Sequence, residues 1–215
     1  MRSETVRSII RAYDDPVVRA YCWVRFRILR QRFLDEIGQY LPEDGPVLDI
    51  GCGFGLFSLY YAATAPRRLV RGLDVNARRI ALARRAAARL GIDNVAYAEG
   101  DARDFKGDTE VAAAYMLDIV HHVPPATVPT LLAQLRRCLP PGGRLLVKDV
   151  DTRPAAKRWF TWALDRLMAP RTPVRYWSTE ELTAALERAG FGVHRHLMVD
   201  LLPYPHVLYV CEARA

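Results

Sequence analysis

The stretch Val47-Leu48-Asp49-Ile50-Gly51-Cys52-Gly53-Phe54-Gly55 decides the fold. Its first four residues read as a buried strand, and an acid stands near the strand's end. Glycines then occupy alternate positions. Without a Cβ at those positions the backbone comes close to a ligand. A helix is expected over residues 54–64, so its first amides face the same ligand. A strand, a glycine turn and a helix in this order make a nucleotide-type pocket.

Working outward, strand and helix alternate. Residues 69–74 read as a second strand, and the alanine- and arginine-rich run 76–90 as a helix closed by Gly91. Residues 95–98 make a short third strand before Gly100-Asp101, and 111–116 a fourth. A helix over 129–139 stops at Pro140-Pro141-Gly142-Gly143, and 144–149 form a fifth strand. Ser178 caps a helix over 179–189 that Gly190 closes. Residues 193–201 and 207–212 read as a closing pair of strands. Such alternation implies a mostly parallel sheet with helices on both faces, and ligands at the C-terminal strand ends.

Asp49-x-Gly51-x-Gly53-x-Gly55 resembles the first motif of the class I S-adenosylmethionine-dependent methyltransferases. That motif holds the methionine part of the cofactor. Asp74 resembles the acid that accepts hydrogen bonds from both ribose hydroxyls, and Asp101-Ala102 the pair that contacts adenine. Val75 and Leu117 join this cofactor set by the same resemblance. Pro141-Gly142-Gly143 before the fifth strand is also typical of the family. The resemblance implies a Rossmann-like fold: a seven-stranded, mostly parallel sheet with an antiparallel C-terminal strand. It makes residues 1–41 an N-terminal helical cap, and 42–215 the core with a helical lid inserted at about 152–177. A dinucleotide enzyme is the competing use of a glycine turn, but its fingerprint wants a glycine where this chain has Leu56.

The catalytic side is harder to read. The fourth strand runs into Leu117-Asp118-Ile119-Val120-His121-His122, which in this architecture faces the transferable methyl. Asp118 is expected to orient the acceptor or the cofactor's amino end. Histidine is the natural base for a phenol or carboxylic acid near neutral pH. His121 and His122 are therefore candidates, but adjacent residues of a helical turn point about 100° apart, so one at most is expected to face the pocket. Tyr204 and His206 lie in a loop stiffened by two prolines. They either present polar groups to a substrate or belong to an ordinary hairpin. Lys148, Asp149 and Asp151 at the fifth strand's end either bind the acceptor or pair with one another at the surface. Tyr13 is expected to reach back to the cofactor, as N-terminal tyrosines do in some relatives.

The charge excess is concentrated. Of 31 basic residues 28 are arginine, and the net charge of +7 lies in residues 1–41 (+3) and 151–175 (+4). Either an arginine-rich composition produces this, or a cationic surface meets an anionic partner. Residues 16–38 and 154–168 mix apolar, aromatic and basic side chains. Such segments suit a membrane interface or a greasy substrate channel, or else pack one face on the sheet. Cys22, Cys52, Cys138 and Cys211 lack metal-site spacing and read as reduced thiols, and no metal is expected. No apolar run spans a membrane and no secretory h-region is present, so a cytoplasmic chain is expected, peripheral at the inner face of a membrane if the lid touches lipid.

These readings converge on methyl transfer to a hydrophobic small molecule, aromatic or lipid-like, with oxygen favoured as the accepting atom. A membrane surface or an acidic carrier protein would present it. Nucleic acid is the alternative acceptor on charge alone. Against it, Leu117-Asp118-Ile119-Val120 stands where base-amino methylating enzymes carry Asn/Asp-Pro-Pro-aromatic. A cofactor-binding homologue without turnover is the third possibility.

Overall fold

A computed structural model describes residues 2–107, 109–150, 175–198 and 206–214. The expected lid over 152–177 lies outside these except for its last three residues, and so does Tyr204. Seven strands form one sheet in the order β3-β2-β1-β4-β5-β7-β6: β1 Asp44–Ile50, β2 Arg67–Asp74, β3 Val95–Glu99, β4 Ala113–Leu117, β5 Arg144–Val150, β6 Phe191–Met198 and β7 His206–Ala213. The first five pair in parallel; β7 runs antiparallel to both β5 and β6. The expected mixed sheet is present.

Helices cover both faces. On one side lie α1 (Arg2–Ala12), α2 (Pro16–Ile28), α3 (Gln31–Gly38), α4 (Leu56–Thr64) and α5 (Ala77–Leu90). On the other lie α6 (Val128–Cys138) and α7 (Thr179–Arg188). The sheet is thus buried on both faces, which is why β4 reads as an unbroken apolar run with all five residues buried. Gly91 closes α5 in the left-handed conformation, and Ser178 with Glu181 forms a reciprocal capping box on α7.

Residues 16–38 form two helices, because the chain leaves helical conformation at Leu29 and turns extended at Arg30. Leu29 is buried at that corner, and Phe33, Leu34 and Ile37 of α3 pack into the cluster that holds β1 and α4. Val18, Cys22 and Phe26 are the packed face of α2, leaving Tyr21 and Ile28 half-buried and Val17 and Val24 exposed.

No helix among the described residues is long and apolar enough to cross a membrane. The four cysteines are buried and free.

Candidate active site

The chain leaves β1 for α4 on one face of the sheet and β4 for α6 on the other. The C-terminal ends of these two neighbours therefore part around a crevice. A cavity of about 590 Å³ opens there, within the range of roughly 300–1,000 Å³ typical of small-molecule sites. Gly51, Gly53, Asp74, Val75, Asp101 and Ala102 line it. So do Tyr21, Val24, Arg25 and Ile28 of α2, with Phe57, Val150 and His206; Tyr21 packs against Phe54 of the glycine turn, ring centroids 5.3 Å apart. Asp49, Leu117, Asp118, His121 and His122 border the same space.

The glycine turn is pinned against β2. The amides of Gly51 and Cys52 donate to the Leu73 carbonyl at 2.7 and 3.0 Å, and that of Gly53 donates to Asp74 Oδ2 at 2.9 Å. Gly53 has φ +57°, and a Cβ there would meet no atom within 4 Å. It would stand in the cavity, in the space a ligand would take. Gly55 has a different task. It starts α4 at φ +76° and does not line the cavity; a Cβ would run into the Tyr97 ring. Tyr13 also differs from expectation. Its hydroxyl donates to the Phe54 carbonyl at 2.6 Å, so it braces the turn from behind rather than reaching a cofactor.

The acids take distinct parts. Asp49 is buried beneath the turn, and its Oδ2 accepts from Ser58 Oγ at 2.5 Å and Tyr115 Oη at 3.0 Å. Burial pushes its carboxyl up to about 7, while those two hydrogen bonds pull the other way. Asp74 accepts from the Gly53 amide and, through Oδ1, from the Asn76 amide at 2.9 Å. A carboxylate has about four acceptor positions, so two stay available to a pair of ribose hydroxyls. Asp101 faces its own turn. It caps the 3-10 turn Ala102–Asp104, and its Oδ2 accepts from Arg103 Nε at 2.8 Å. That arginine holds the carboxyl below its ordinary range. An adenine amino group would share this carboxylate with Arg103. Val75, 64% exposed on the cavity side, offers an apolar surface beside it.

The floor is built from β4 and β5. Lys148 is fully buried, and its Nζ donates to Asp118 Oδ1 at 2.5 Å. Arg25 reaches in from α2 and pairs with the other Asp118 oxygen. Asp118 has φ +57°, the sole non-glycine residue with positive φ among those described. Despite burial, the two cations hold its carboxyl far below the usual range, so it stays ionised. Asp149 Oδ1 lies 2.5 Å from His121 Nδ1, and Asp149 Oδ2 accepts the His121 amide at 3.2 Å. Lys148 and Asp149 are therefore neither at the surface nor paired with each other, because alternate residues of β5 face opposite sides of the sheet.

Both histidines border the cavity, against the expectation of one. They sit on the 3-10 turn Val120–His122 with ring centroids 4.2 Å apart. Depth, not direction, separates them: Asp149 anchors His121 in the floor, and His122 lies half-buried against it. Burial pushes His122 down to about 4. His206 opens β7, packs edge-on against Phe33 with centroids 5.6 Å apart, and is pushed down to about 2 by burial and then by the Lys148 charge. Neither imidazole is charged at neutral pH.

Arg25 was not singled out in the sequence, though a signal existed. Tyr21, Arg25 and Ile28 recur at helical spacing, which places one arginine on an otherwise apolar stripe.

The donor set suits S-adenosylmethionine. Asp74 and Val75 would hold the ribose and adenine, and the Gly51–Gly53 backbone with Asp49 the amino-acid end. Bound there, the cofactor supplies an electrophilic sulfonium methyl, and the protein's remaining task is to align the acceptor.

The chain is 32% identical over 118 residues to a fatty-acid O-methyltransferase of Mycolicibacterium smegmatis, covering 54% of this chain and 41% of that protein. It is 34% identical over 98 residues to a 23S rRNA (uracil(747)-C(5))-methyltransferase of Shewanella oneidensis, covering 45% and 24%. The chain thus spans less than half the length of these curated relatives. In fold it is similar to the S-adenosylmethionine-dependent methyltransferase SibL, with a TM-score of 0.69 and 21% identity over 93% of this chain and 58% of that one. Residues 24–196 match the family described as a methyltransferase domain, and the chain belongs to that family of S-adenosylmethionine-dependent methyltransferases.

Proposed function

We propose that this protein methylates an oxygen of a hydrophobic small molecule, aromatic or lipid-like, that carries an acidic O–H. The observation that carries this reading is the continuity of the cavity. The glycine turn and Asp74 line the same cavity as apolar side chains of α2 and Phe57, with a few polar groups among them. A methyl donor held by the turn would share that space with an acceptor. The His121–Asp149 pair suits removal of an acceptor proton, since Asp149 fixes the ring and stabilises its charged form. Asp118 is unsuited to that task, because it stays ionised and tied to two cations.

The outer face of α2 supports presentation of the acceptor at an anionic surface, a membrane or an acidic carrier. Val17 and Trp23 are 75% and 54% exposed, Arg27 stacks over the Trp23 ring, and the half-exposed Val24 lines the cavity. This mixture of basic and aromatic residues fits a lipid interface.

The test has two stages. Calorimetric titration with S-adenosylhomocysteine, against NAD as control, is expected to give micromolar binding of the first alone. Transfer from methyl-labelled S-adenosylmethionine is then followed over long-chain fatty acids, substituted phenols and a ribosomal RNA fragment. Label is expected in the small acids or phenols. Label in RNA alone would overturn the acceptor class, and tight binding without label in anything would favour a non-catalytic homologue.

A further inference from the structure

Arg25, Arg79 and Arg103 all line the cavity. Arg25 is paired with Asp118, and Arg103 with Asp101. Arg79 is half-buried, and among the described residues its guanidinium forms no ion pair. It stands instead over the Phe54 ring, 5.4 Å from the centroid. Phe54 follows Gly53 in the glycine turn; its ring meets Tyr21 of α2, and its carbonyl accepts from Tyr13. The guanidinium is therefore seated on a braced part of the turn. Contact with a ring face holds a cation in place without neutralising it.

The place of Arg79 in the helix makes the charge more conspicuous. It lies in the first turn of α5, where its amide donates to the Asn76 cap at 3.0 Å. That turn holds two arginines and no acid, although a helix N-terminus favours negative charge. Arg78 is offset by Asp15, 3.1 Å away. Asp74, just ahead of the helix, accepts from the amides of Gly53 and Asn76 and forms no ion pair with Arg79. Side chains of a helix lean toward its N-terminus, and here that lean carries Arg79 over the turn and into the cavity wall. Burial first, and the Arg79 charge among smaller causes, hold His122 down to about 4, so this cation acts on the cavity's own groups.

S-adenosylmethionine has one anionic group, the carboxylate of its amino-acid end. The amides of the glycine turn are already spent within the protein: Gly51 and Cys52 donate to the Leu73 carbonyl, and Gly53 to Asp74. A carboxylate beside the turn therefore needs a donor from elsewhere. We infer that Arg79 binds the carboxylate of the cofactor's amino-acid end, and so selects the intact cofactor over a decarboxylated one. The planar guanidinium offers paired N–H groups that match a carboxylate, and the Phe54 ring sets its plane beforehand. The bound carboxylate would also offset the charge at the α5 N-terminus. This assignment does not depend on which acceptor is methylated.

The experiment is a calorimetric titration of wild type, Arg79→Met, Arg79→Lys and Arg78→Met with two probes, S-adenosylhomocysteine and its decarboxylated analogue, with the thermal midpoint recorded for each protein. The wild type is expected to bind S-adenosylhomocysteine roughly tenfold or more tightly than the analogue, the scale of a charge-assisted hydrogen bond. Arg79→Met should weaken S-adenosylhomocysteine by about the same factor and leave the analogue within about twofold. Arg79→Lys should regain part of the loss, and Arg78→Met should move neither probe by more than about twofold. Equal weakening of both probes by Arg79→Met would mean that Arg79 supports the turn or the ribose, and would overturn the inference. Unchanged binding of both would overturn it too, and would leave Arg79 to the acceptor. Failure of the wild type to bind either probe would overturn it together with the cofactor site itself.

Discussion

At the scale of single residues, the two acids at the ends of β1 and β2 differ in what surrounds them, and so in what they do. Asp74 satisfies two backbone amides of the glycine turn and the next helix and still has oxygen lone pairs facing the cavity. Asp74→Ala is expected to weaken S-adenosylhomocysteine binding at least tenfold, since charge-assisted hydrogen bonds contribute roughly 1.5–3 kcal/mol each. Unchanged affinity by calorimetry would remove Asp74 from the ribose site. Asp49 is governed by burial, which raises its carboxyl from an ordinary value to about 7. The folded state therefore keeps a proton that the unfolded chain loses near pH 4. Its contribution is fully present below that pH and is lost as pH rises to about 7, at up to about 1.4 kcal/mol per pH unit. Asp49→Asn has no such slope. Denaturant titrations at pH 5 and pH 7.5 should show the variant gaining on the wild type at the higher pH; a pH-independent difference would show that Asp49 is ionised throughout.

At the scale of elements, the turn after β4 and the end of β5 form one unit, because β4 and β5 are paired neighbours and each contributes a partner to the other's charge. His121 is held by Asp149, whereas His122 leans on His121 and is pushed down to about 4. With a phenolic acceptor and saturating cofactor, His121→Ala should lower turnover by about 10²-fold or more, the usual scale of general-base loss, and His122→Ala by much less. Equal and full turnover in both variants would send the acceptor proton elsewhere. Away from the site, α7 opens with a reciprocal capping box in which Ser178 accepts the Glu181 amide at 3.1 Å. Ser178→Ala should cost roughly 0.5–2 kcal/mol of stability without moving S-adenosylhomocysteine affinity. A change in affinity would tie α7 to the site.

At the scale of the molecule, the N-terminal helices are continuous with the core. Ile9, Tyr13, Cys22, Phe26 and Phe33 belong to the same buried cluster as Val47 of β1 and the inner face of α4. Yet α2 leaves Val17 and Trp23 exposed, with Arg27 over the indole. Sedimentation with vesicles tests what this face meets. Binding to vesicles rich in anionic lipid, weakened by salt and by Trp23→Ala, is expected. Equal recovery in the supernatant with and without vesicles would leave the presenting surface to a carrier protein.

What the sequence determined by itself was whatever depends on local rules. Glycines at 51, 53 and 55, alternating strand and helix signals and caps at Ser178 and Gly91 are short-range constraints, and they led to the sheet, its elements and the glycine turn that lines the cavity. The tertiary structure alone decided the charge pairing on the cavity floor. Lys148 and Asp149 look like surface charges in sequence, but β5 is covered on both faces, so each must find a buried partner. Arg25 is one arginine among eight in residues 1–41 until the break at Leu29 sets α2 across the cavity, 93 residues from Asp118 in the chain. Ionic pairing over such separations is a property of how elements pack, and the local pattern of apolar and charged residues carries no record of which distant charge each one meets.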